Sequence, residues 1–156
     1  MKFVRFFCCL LIVYAFSILG AYGAGGGLVS GWYLSLKKPA FTPPYYLFGL
    51  IWGVVYTFLT FSLWLVWEKS RVRTVPFTAF GLFFLALFLT VLWPAVLFGF
   101  YWITGALALL FCLWIVVILA MLYCGKYSIL AGVLYVPFFL WITFALYLNS
   151  GLVLLN

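Results

Sequence analysis

Apolar residues along this chain form five long runs, separated by short polar breaks or breaks rich in proline and glycine. The runs cover residues of about 3–22, 45–67, 76–98, 101–123 and 128–153. A bilayer core about 30 Å thick needs ~20 apolar residues in helical conformation, and backbone in lipid must satisfy its own hydrogen bonds. The pattern therefore predicts an all-α membrane protein, with residues 1–156 forming a single domain of five transmembrane helices.

The start of the chain allows a second interpretation. Lys2 and Arg5 precede an apolar run to Leu19, and Ala21-Tyr22-Gly23 follows it. This is the arrangement of a signal peptide with a cleavage site. Cleavage there would leave four helices, whereas the uncleaved segment is a membrane span. We adopt the five-span interpretation.

Composition supports the membrane assignment and narrows the chemistry. The chain is 71% hydrophobic and 6% charged, with a mean hydropathy of +1.37, whereas a soluble domain is about 25% charged. Glu68 is the single acidic residue, and histidine is absent. Carboxylate pairs, Ser-His-Asp triads and His-ligated metals or haem are thereby excluded. We expect no metal, no cofactor and no ordinary catalytic site.

The net charge of +7 comes from basic residues at the ends of the spans. Such an arrangement is typical of anchoring beside anionic lipid and argues against nucleic-acid binding. The break between the first two spans carries only Lys37 and Lys38. The opposite side collects Lys2, Arg5, Lys69, Arg71, Arg73 and Lys126. In a plasma membrane this bias places the N-terminus inside and the C-terminus outside.

The break before the second span, residues of about 23–44, has the most distinctive pattern, and we call it the lid loop. Pro39, Pro43 and Pro44 fix their φ angles. They also push Lys38 and Thr42 toward extended conformations. A stiff loop is therefore predicted, with Pro44 suited to the first turn of the second span.

Aromatic side chains recur at helical spacing in three spans. The second span carries Phe48, Trp52, Tyr56 and Thr60 at every fourth position. The last span carries Pro137, Trp141, Ala145 and Asn149 in the same way, with Phe144 beside them. The third span offers Thr90, Trp93 and Pro94. Aromatic walls with a few polar groups suit a flat apolar ligand with polar edges.

Interfacial aromatic belts and ordinary packing are the alternative explanations for these tryptophans. A belt accounts well for Trp32, Trp67 and Trp102, which lie near span ends. It accounts less well for the tryptophans several residues inside their spans, which are Trp52, Trp93 and Trp141. On spacing alone, a pocket and plain packing both remain open for those three.

Several motifs of this chain resemble those of the TspO/MBR family when taken in order. They are Gly31-Trp32-Tyr33-x-x-Leu36-x-Lys38-Pro39-x-x-x-Pro43-Pro44, Trp52-x-x-x-Tyr56, Val66-Trp67, Trp93-Pro94, Phe98-Gly99 and Val136-Pro137-x-x-x-Trp141-x-x-Phe144-Ala145-x-x-Leu148-Asn149. This family contains the tryptophan-rich sensory proteins of bacteria and the mitochondrial translocator protein, or peripheral-type benzodiazepine receptor. The resemblance extends from about residue 31 to the end of the chain.

The resemblance implies a five-helix bundle of the TspO/MBR type, often dimeric, around a pocket capped by the first loop. It also implies porphyrins, benzodiazepine-site drugs and, in the animal proteins, cholesterol as ligands. By motif position, Trp52 and Trp141 would face the ligand, and Tyr33 and Pro43 would belong to the lid. The predicted ligand-binding set is Tyr33, Pro43, Trp52, Tyr56, Thr90, Trp93, Trp141, Phe144, Ala145 and Asn149.

The chain also departs from the family pattern. Thr90 stands where many relatives carry asparagine, Ala95 replaces a second proline, and Leu109 replaces an acidic residue. The tail after Asn149 lacks the tyrosine and arginine of the proposed cholesterol motif, which is itself a weak pattern. Sterol transport is therefore less supported than porphyrin binding.

Three classes of function follow. The first is a membrane sensor or translocator that binds porphyrin-type tetrapyrroles and similar flat ligands, with a sterol or lipid transporter as its variant. The second is a light- and oxygen-dependent porphyrin-degrading enzyme that uses Trp52 and Trp141. The third is a structural membrane protein, in which the small pair Ala95-x-x-x-Gly99 suits a homodimer. A bacterial cell membrane is the favoured location, and the mitochondrial outer membrane is the alternative.

Overall fold

The computed structural model describes residues 2–72 and 74–156, which form helices joined by short connections and, within these ranges, no strands. The described residues form seven α-helices, together with a 3₁₀ turn at Gly27–Val29 and a π-helical turn at Ala95–Gly99. The α-helices are α1 Lys2–Ala24, α2 Gly31–Ser35, α3 Tyr45–Ser70, α4 Phe77–Pro94, α5 Ile103–Tyr127, α6 Ile129–Val133 and α7 Val136–Leu155.

Within the described part of the chain, five stretches are long and apolar enough to cross a membrane. They are Lys2–Val29, Tyr45–Ser70, Phe77–Gly99, Ile103–Tyr127 and Ile129–Leu155. The predicted fold class, an all-α membrane protein with five spans, is confirmed. The short helices α2 and α6 lie at the ends of these spans, where irregular backbone can still find hydrogen-bond partners.

Helix α1 packs against α3 and α4, and α5 packs between α4 and α7. The contact of α1 with α4 and with the π-helical turn that follows it relies on small residues. A Cβ added to Gly23 would lie 3.5 Å from the Cβ of Ala95, and one added to Gly20 would lie 3.8 Å from the Cα of Val91. Lipid offers no hydrophobic drive for helix association, so such close backbone approach is a main source of packing energy.

The same contact bears on the predicted dimer motif. Ala95 meets Gly23 inside the bundle, whereas Gly99 is exposed. The two residues also belong to the π-helical turn, in which Phe100 donates its backbone N–H to the carbonyl of Ala95 at 3.1 Å. Half of the small-residue pair is therefore used within one chain, and the homodimer stays a prediction.

The end of α5 lies beyond the point that the sequence indicated. Residues 124–127 were predicted to be a break, yet α5 continues through Tyr127. Ser128 is the residue that separates the helices, because its side chain accepts a hydrogen bond from the N–H of Ala131 at 3.3 Å and caps α6. Gly125 and Lys126 lie inside the last turn of α5 and do not end the helix. The capping serine therefore marks the boundary between α5 and α6 better than this glycine and lysine do.

The lid loop contains helical structure that the sequence did not predict. The 3₁₀ turn at Gly27–Val29 is followed by α2, and Ser30 caps α2 by accepting a hydrogen bond from the N–H of Tyr33 at 3.2 Å. Gly27 lies directly against a ring, since an added Cβ would come within 2.3 Å of Cγ of Phe98. Local capping and one glycine therefore fold this half of the lid onto the end of α4.

The second half of the lid loop is docked on the C-terminal end of α7. The side chain of Asn156 accepts from the N–H of Lys37 at 2.9 Å and donates to the carbonyl of Lys37 at 3.0 Å. The Tyr147 hydroxyl donates to the carbonyl of Ala40 at 2.9 Å. Pro39 sits over Gly151, where an added Cβ would lie only 2.5 Å from the Cβ of the proline.

The opposite end of the bundle holds the one acidic residue. Glu68, in the last turn of α3, forms an ion pair with Arg5 of α1, and the second contact joins Nη2 and Oε2 at 3.1 Å. The pair ties α1 to α3 far from the lid. Glu68 and Arg5 therefore cannot contact a ligand at the lid end of the bundle.

Replacing Gly151 with leucine tests the docking of the lid on α7. Because the new side chain would overlap Pro39, we expect the free energy of unfolding to fall by roughly 1–3 kcal/mol, as in other overpacked sites. Trypsin cleavage after Lys37 should become faster. Thermal unfolding and limited proteolysis of the detergent-solubilised protein measure both effects.

The matched control is Gly81→Leu, because Gly81 lies in α4 with open space where its Cβ would be. Leucine also favours helix over glycine, so this variant should be as stable as the parent or more so. Equal stability and equal cleavage rates for the two leucine variants would contradict the docking.

Candidate ligand-binding site

A cavity of about 570 Å³ lies between α1, α3, α4 and the 3₁₀ turn, and we call it the main cavity. Its lining residues are Ser17, Gly20, Ala21, Ala24, Gly26, Gly27, Leu28, Val29, Tyr45, Phe48, Gly49, Trp52, Tyr56, Thr90, Trp93, Pro94 and Phe98. Ala21, Val29 and Tyr45 are exposed and mark its opening, between the end of α1 and the start of α3.

One wall of the main cavity is the aromatic stripe of α3. The rings of Trp52 and Tyr56 stack with centroids 5.5 Å apart. Trp52 is also held edge-on by Phe138 at 6.2 Å and by Trp141 at 6.1 Å, both on α7. Four-residue spacing puts these rings on one face of α3, and α7 packs behind them. The wall is therefore rigid.

The facing wall comes from α1, and its members are all small. Ser17, Gly20, Ala21 and Ala24 occupy positions i, i+3, i+4 and i+7 and so share one helix face. Sequence reasoning missed this wall, because it sought a pocket between the second, third and last spans. The spacing of small residues in the first span was the signal that could have found it.

Helix α4 closes the third side with Thr90, Trp93 and Pro94. The Thr90 hydroxyl donates to the carbonyl of Ala86 at 2.7 Å, so its polar group is already satisfied within the helix. The Trp93 indole N–H donates to Oδ1 of Asn149 at 3.2 Å. The orientation of the Trp93 ring is thus fixed from the far side of the bundle.

Asn149 of α7 joins three elements. Besides accepting from Trp93, it donates through Nδ2 to the carbonyl of Ile103, at the start of α5, at 3.1 Å. The residue is 1% exposed. A buried amide placed between two partners in this way fixes the positions of α4, α5 and α7 relative to one another.

A second, much smaller cavity of about 20 Å³ lies under the lid loop. Trp141, Ala145 and Asn149 of α7 line it, together with Tyr33 of the lid. Four residues line both cavities and separate them: Leu28, Phe48, Trp93 and Phe98. Phe48 packs edge-on against Trp141 at 5.6 Å, so the partition is a packed layer of rings.

The predicted site residues therefore fall into three groups. Trp52, Tyr56, Thr90 and Trp93 line the main cavity. Tyr33, Trp141, Ala145 and Asn149 line the small cavity, to which Trp93 also contributes. Pro43 and Phe144 line neither cavity. Phe144 packs against Trp141 and Tyr147, at 5.8 and 6.0 Å, and so supports the wall from behind.

Tyr33 is the residue through which the lid loop reaches the interior. Its ring is 7% exposed and packs edge-on against Phe98 at 5.4 Å. Burial raises the pKa of its phenol above the ordinary value, so the group stays neutral. The Nζ of Lys38 lies 4.9 Å above the ring and donates to the carbonyls of Leu34 and Leu36, which keeps this cation at the rim of the lid.

The electrostatic character of the main cavity is simple, because no charged residue lines it. Among the described side chains, the Trp141 indole N–H is buried without a hydrogen-bond partner, and it borders the small cavity. The arrangement can hold an apolar molecule between aromatic faces. It offers no group for acid–base chemistry in the ordinary pH range.

A bundle of five apolar spans, with an aromatic cavity between three of them and a docked loop at one end, defines a multi-pass membrane protein with an internal apolar site. The family model described as the TspO/MBR family matches residues 8–155. The chain belongs to this family, as its motifs predicted.

Known relatives come from all three domains of life. The tryptophan-rich protein TspO of Archaeoglobus fulgidus is 34% identical over 104 residues, which is 64% of this chain and 63% of that protein. Protein CrtK of Rhodobacter capsulatus is 29% identical over 86% of this chain and 85% of its own length. The human translocator protein is 33% identical over 44% of this chain and 41% of its own. The match thus spans less than two thirds of the archaeal and human proteins.

Replacing Asn149 with leucine tests the bridge between α4, α5 and α7. The Trp93 N–H and the Ile103 carbonyl would both lose their partner, so the free energy of unfolding should fall by roughly 1–3 kcal/mol. The Trp93 ring should also become mobile, which fluorescence anisotropy of a variant retaining only this tryptophan would detect.

Thr143→Val is the control for the Asn149 variant. It removes the hydrogen bond from Trp114 to Thr143, 3.0 Å long, on the exposed face of the bundle. Hydrogen bonds between membrane helices average about 0.6 kcal/mol, so the loss should be smaller. Equal destabilisation by the two substitutions would show that Asn149 forms no special bridge.

Proposed function

We propose that this protein binds porphyrin-type tetrapyrroles and similar flat, apolar molecules in the main cavity and acts as a membrane sensor or translocator for them. The observation that carries the proposal is the main cavity itself. Its volume of about 570 Å³ falls within the 300–1,000 Å³ typical of small-molecule sites. Its walls combine the flat faces of Trp52 and Trp93 with a smooth wall of small residues on α1.

The absence of charge along the lining sets the orientation of such a ligand. A carboxylate inside the cavity would lack a cationic partner, and an unpaired charge in an apolar interior is costly. The apolar part of a tetrapyrrole would therefore enter first. Its carboxylates would stay at the opening beside Tyr45 and Val29, close to water and lipid headgroups.

The family relationship supports the movement or sensing of a ligand, because several relatives carry the name translocator protein. Transport of sterols or other lipids is a variant of the same proposal, since an apolar cavity would accept a sterol or lipid as well as a tetrapyrrole. Benzodiazepine-site drugs belong to the expected ligands for the same reason. A porphyrin is the probe of choice because its spectrum reports binding directly.

A titration of protoporphyrin into the detergent-solubilised protein tests the proposal. Trp52 and Trp93 line the cavity, so binding should quench tryptophan fluorescence saturably. In Gly49→Phe the new ring would occupy the cavity, since Gly49 lines it and has open space at its Cβ position. We expect the affinity to fall by about tenfold or more, or ~1.4 kcal/mol.

The matched control is Gly53→Phe, one helical turn further along α3. Gly53 also has open space at its Cβ position but does not line the main cavity. This variant should bind protoporphyrin as the parent does. If Gly49→Phe and Gly53→Phe both bind with the parent's affinity, the main cavity is not the binding site.

Photochemical degradation of a bound porphyrin is the second candidate function, and one observation favours it. Trp52 lines the main cavity and touches the rings of Tyr56 and Trp141, at 5.5 and 6.1 Å, so oxidisable rings continue from the ligand site into the protein. Light and oxygen would supply the oxidising power. Illuminating the saturated protein in air should then give a new absorbing product that Trp52→Phe abolishes.

The control for this experiment is free porphyrin in the same detergent under the same light. Porphyrins bleach on their own, so only a product specific to the protein counts. Bleaching at the free rate, with equal spectra for the parent and Trp52→Phe, would exclude the enzyme and leave the binding proposal intact.

A further inference from the structure

The wall of the main cavity carries a tyrosine hydroxyl that the packing of the protein leaves unused. Tyr56 is 3% exposed and lines the cavity, and its hydroxyl has no hydrogen-bond partner among the described residues. Its neighbour Tyr14 differs, because that hydroxyl pairs with Oγ1 of Thr57 at 2.8 Å. A hydroxyl that faces an apolar cavity without a protein partner is available to a polar atom of whatever occupies the cavity.

The direction of the Tyr56 side chain is set by its neighbours. Its ring is stacked on Trp52 at 5.5 Å and lies 6.5 Å from the ring of Tyr14. The hydroxyl oxygen points toward α1, where a Cβ added to Gly20 would lie 3.8 Å from it. Because Gly20 has no side chain, nothing on this face of α1 covers the hydroxyl.

A second hydroxyl lies on the same face of α1. Ser17 precedes Gly20 by one turn and lines the same cavity. Its Oγ likewise forms no hydrogen bond within the described part of the chain. Of the other polar side chains of the lining, Thr90 and Trp93 already donate to Ala86 and Asn149, and Tyr45 lies at the exposed opening. Ser17 and Tyr56 therefore hold the free hydroxyls of the inner cavity.

These two residues lie at the deep end of the cavity. The lining part of α3 extends from exposed Tyr45 to Tyr56, which is ~16 Å at 1.5 Å per residue. This depth is about half of a ~30 Å hydrocarbon core. Ser17 and Tyr56 are also the lining residues of α1 and α3 furthest from the lid end. A ligand that enters from the opening would meet them last.

We infer that the hydroxyls of Ser17 and Tyr56 form a polar floor that binds a neutral hydroxyl or carbonyl group at the leading edge of an otherwise apolar ligand. A charged group is unsuited to this position, because no lining residue carries an opposite charge. The inference rests on the proposed function. It adds a criterion for selecting among apolar ligands of similar size. The preferred ligand carries a neutral hydrogen-bonding group on the edge that enters the cavity first.

A matched pair of fluorescent probes tests the polar floor. Pyrene and 1-pyrenemethanol share one apolar ring system and differ by a neutral alcohol. Their binding to the full-length protein in detergent is followed by energy transfer from tryptophan, against detergent blanks. The parent should bind the alcohol about threefold to tenfold more tightly than pyrene, as expected for one neutral hydrogen bond. Tyr56→Phe combined with Ser17→Ala should remove this preference, so that the variant binds the two probes with equal affinity.

Tyr14→Phe is the control, because it removes a neighbouring tyrosine hydroxyl that does not line the cavity; it should keep the preference. Ser17→Ala alone, a small change on a half-buried face, should reduce the preference even if Tyr56→Phe folds poorly. Three results would overturn the polar floor. They are equal affinity of the parent for the two probes, no binding of either probe, and a preference for the alcohol that survives the double substitution. A preference for the alcohol in a protein that does not bind protoporphyrin would support the floor and refute the porphyrin proposal.

Discussion

The rest of this structure depends on one constraint: the side chains of α1 that face the bundle are small, whereas those of the helices opposite are large. Gly20 and Gly23 of α1 allow its backbone to approach Val91 of α4 and Ala95 of the π-helical turn closely. Toward α3, Gly20 and the other small residues of α1 lie opposite large rings and leave the main cavity between them. One helix thus provides both tight packing and empty space. Larger side chains on that face of α1 would push the helices apart or fill the site.

The aromatic layer of α3 has a similar double role. Phe48 separates the two cavities and packs on Trp141, whereas Trp52 and Tyr56 form the wall of the main cavity. Behind them α7 supports the rings and also holds the lid loop, through Asn156, Tyr147 and the close approach of Gly151 to Pro39. Lid and cavity wall are therefore parts of one rigid assembly, although α7 does not line the main cavity itself.

The charged side chains are kept out of the lining of the main cavity. The single acidic side chain, Glu68, is paired with Arg5 at the opposite end of the bundle, and Lys38 lies over the ring of Tyr33 at the rim of the lid. Hydrogen bonds join Trp93, Asn149 and Ile103 and so serve to position helices. The proposed recognition inside the main cavity would rest on ring faces, shape and the hydroxyls of Ser17 and Tyr56.

The sequence by itself determined the five helices, because a span of this length and hydropathy has few alternatives in lipid. Its motifs also identified the family and the aromatic residues Trp52 and Trp93 of the cavity wall. Only the tertiary structure decided which helices enclose the space. Trp141 and Ala145 have the spacing of a ligand wall yet border the small cavity, because Phe48 and Trp93 lie between them and the larger one. Ser17 and Gly20 line the cavity because their face of α1 is turned toward α3. The sequence does not show which face that is, because small residues fit equally well against several kinds of neighbour.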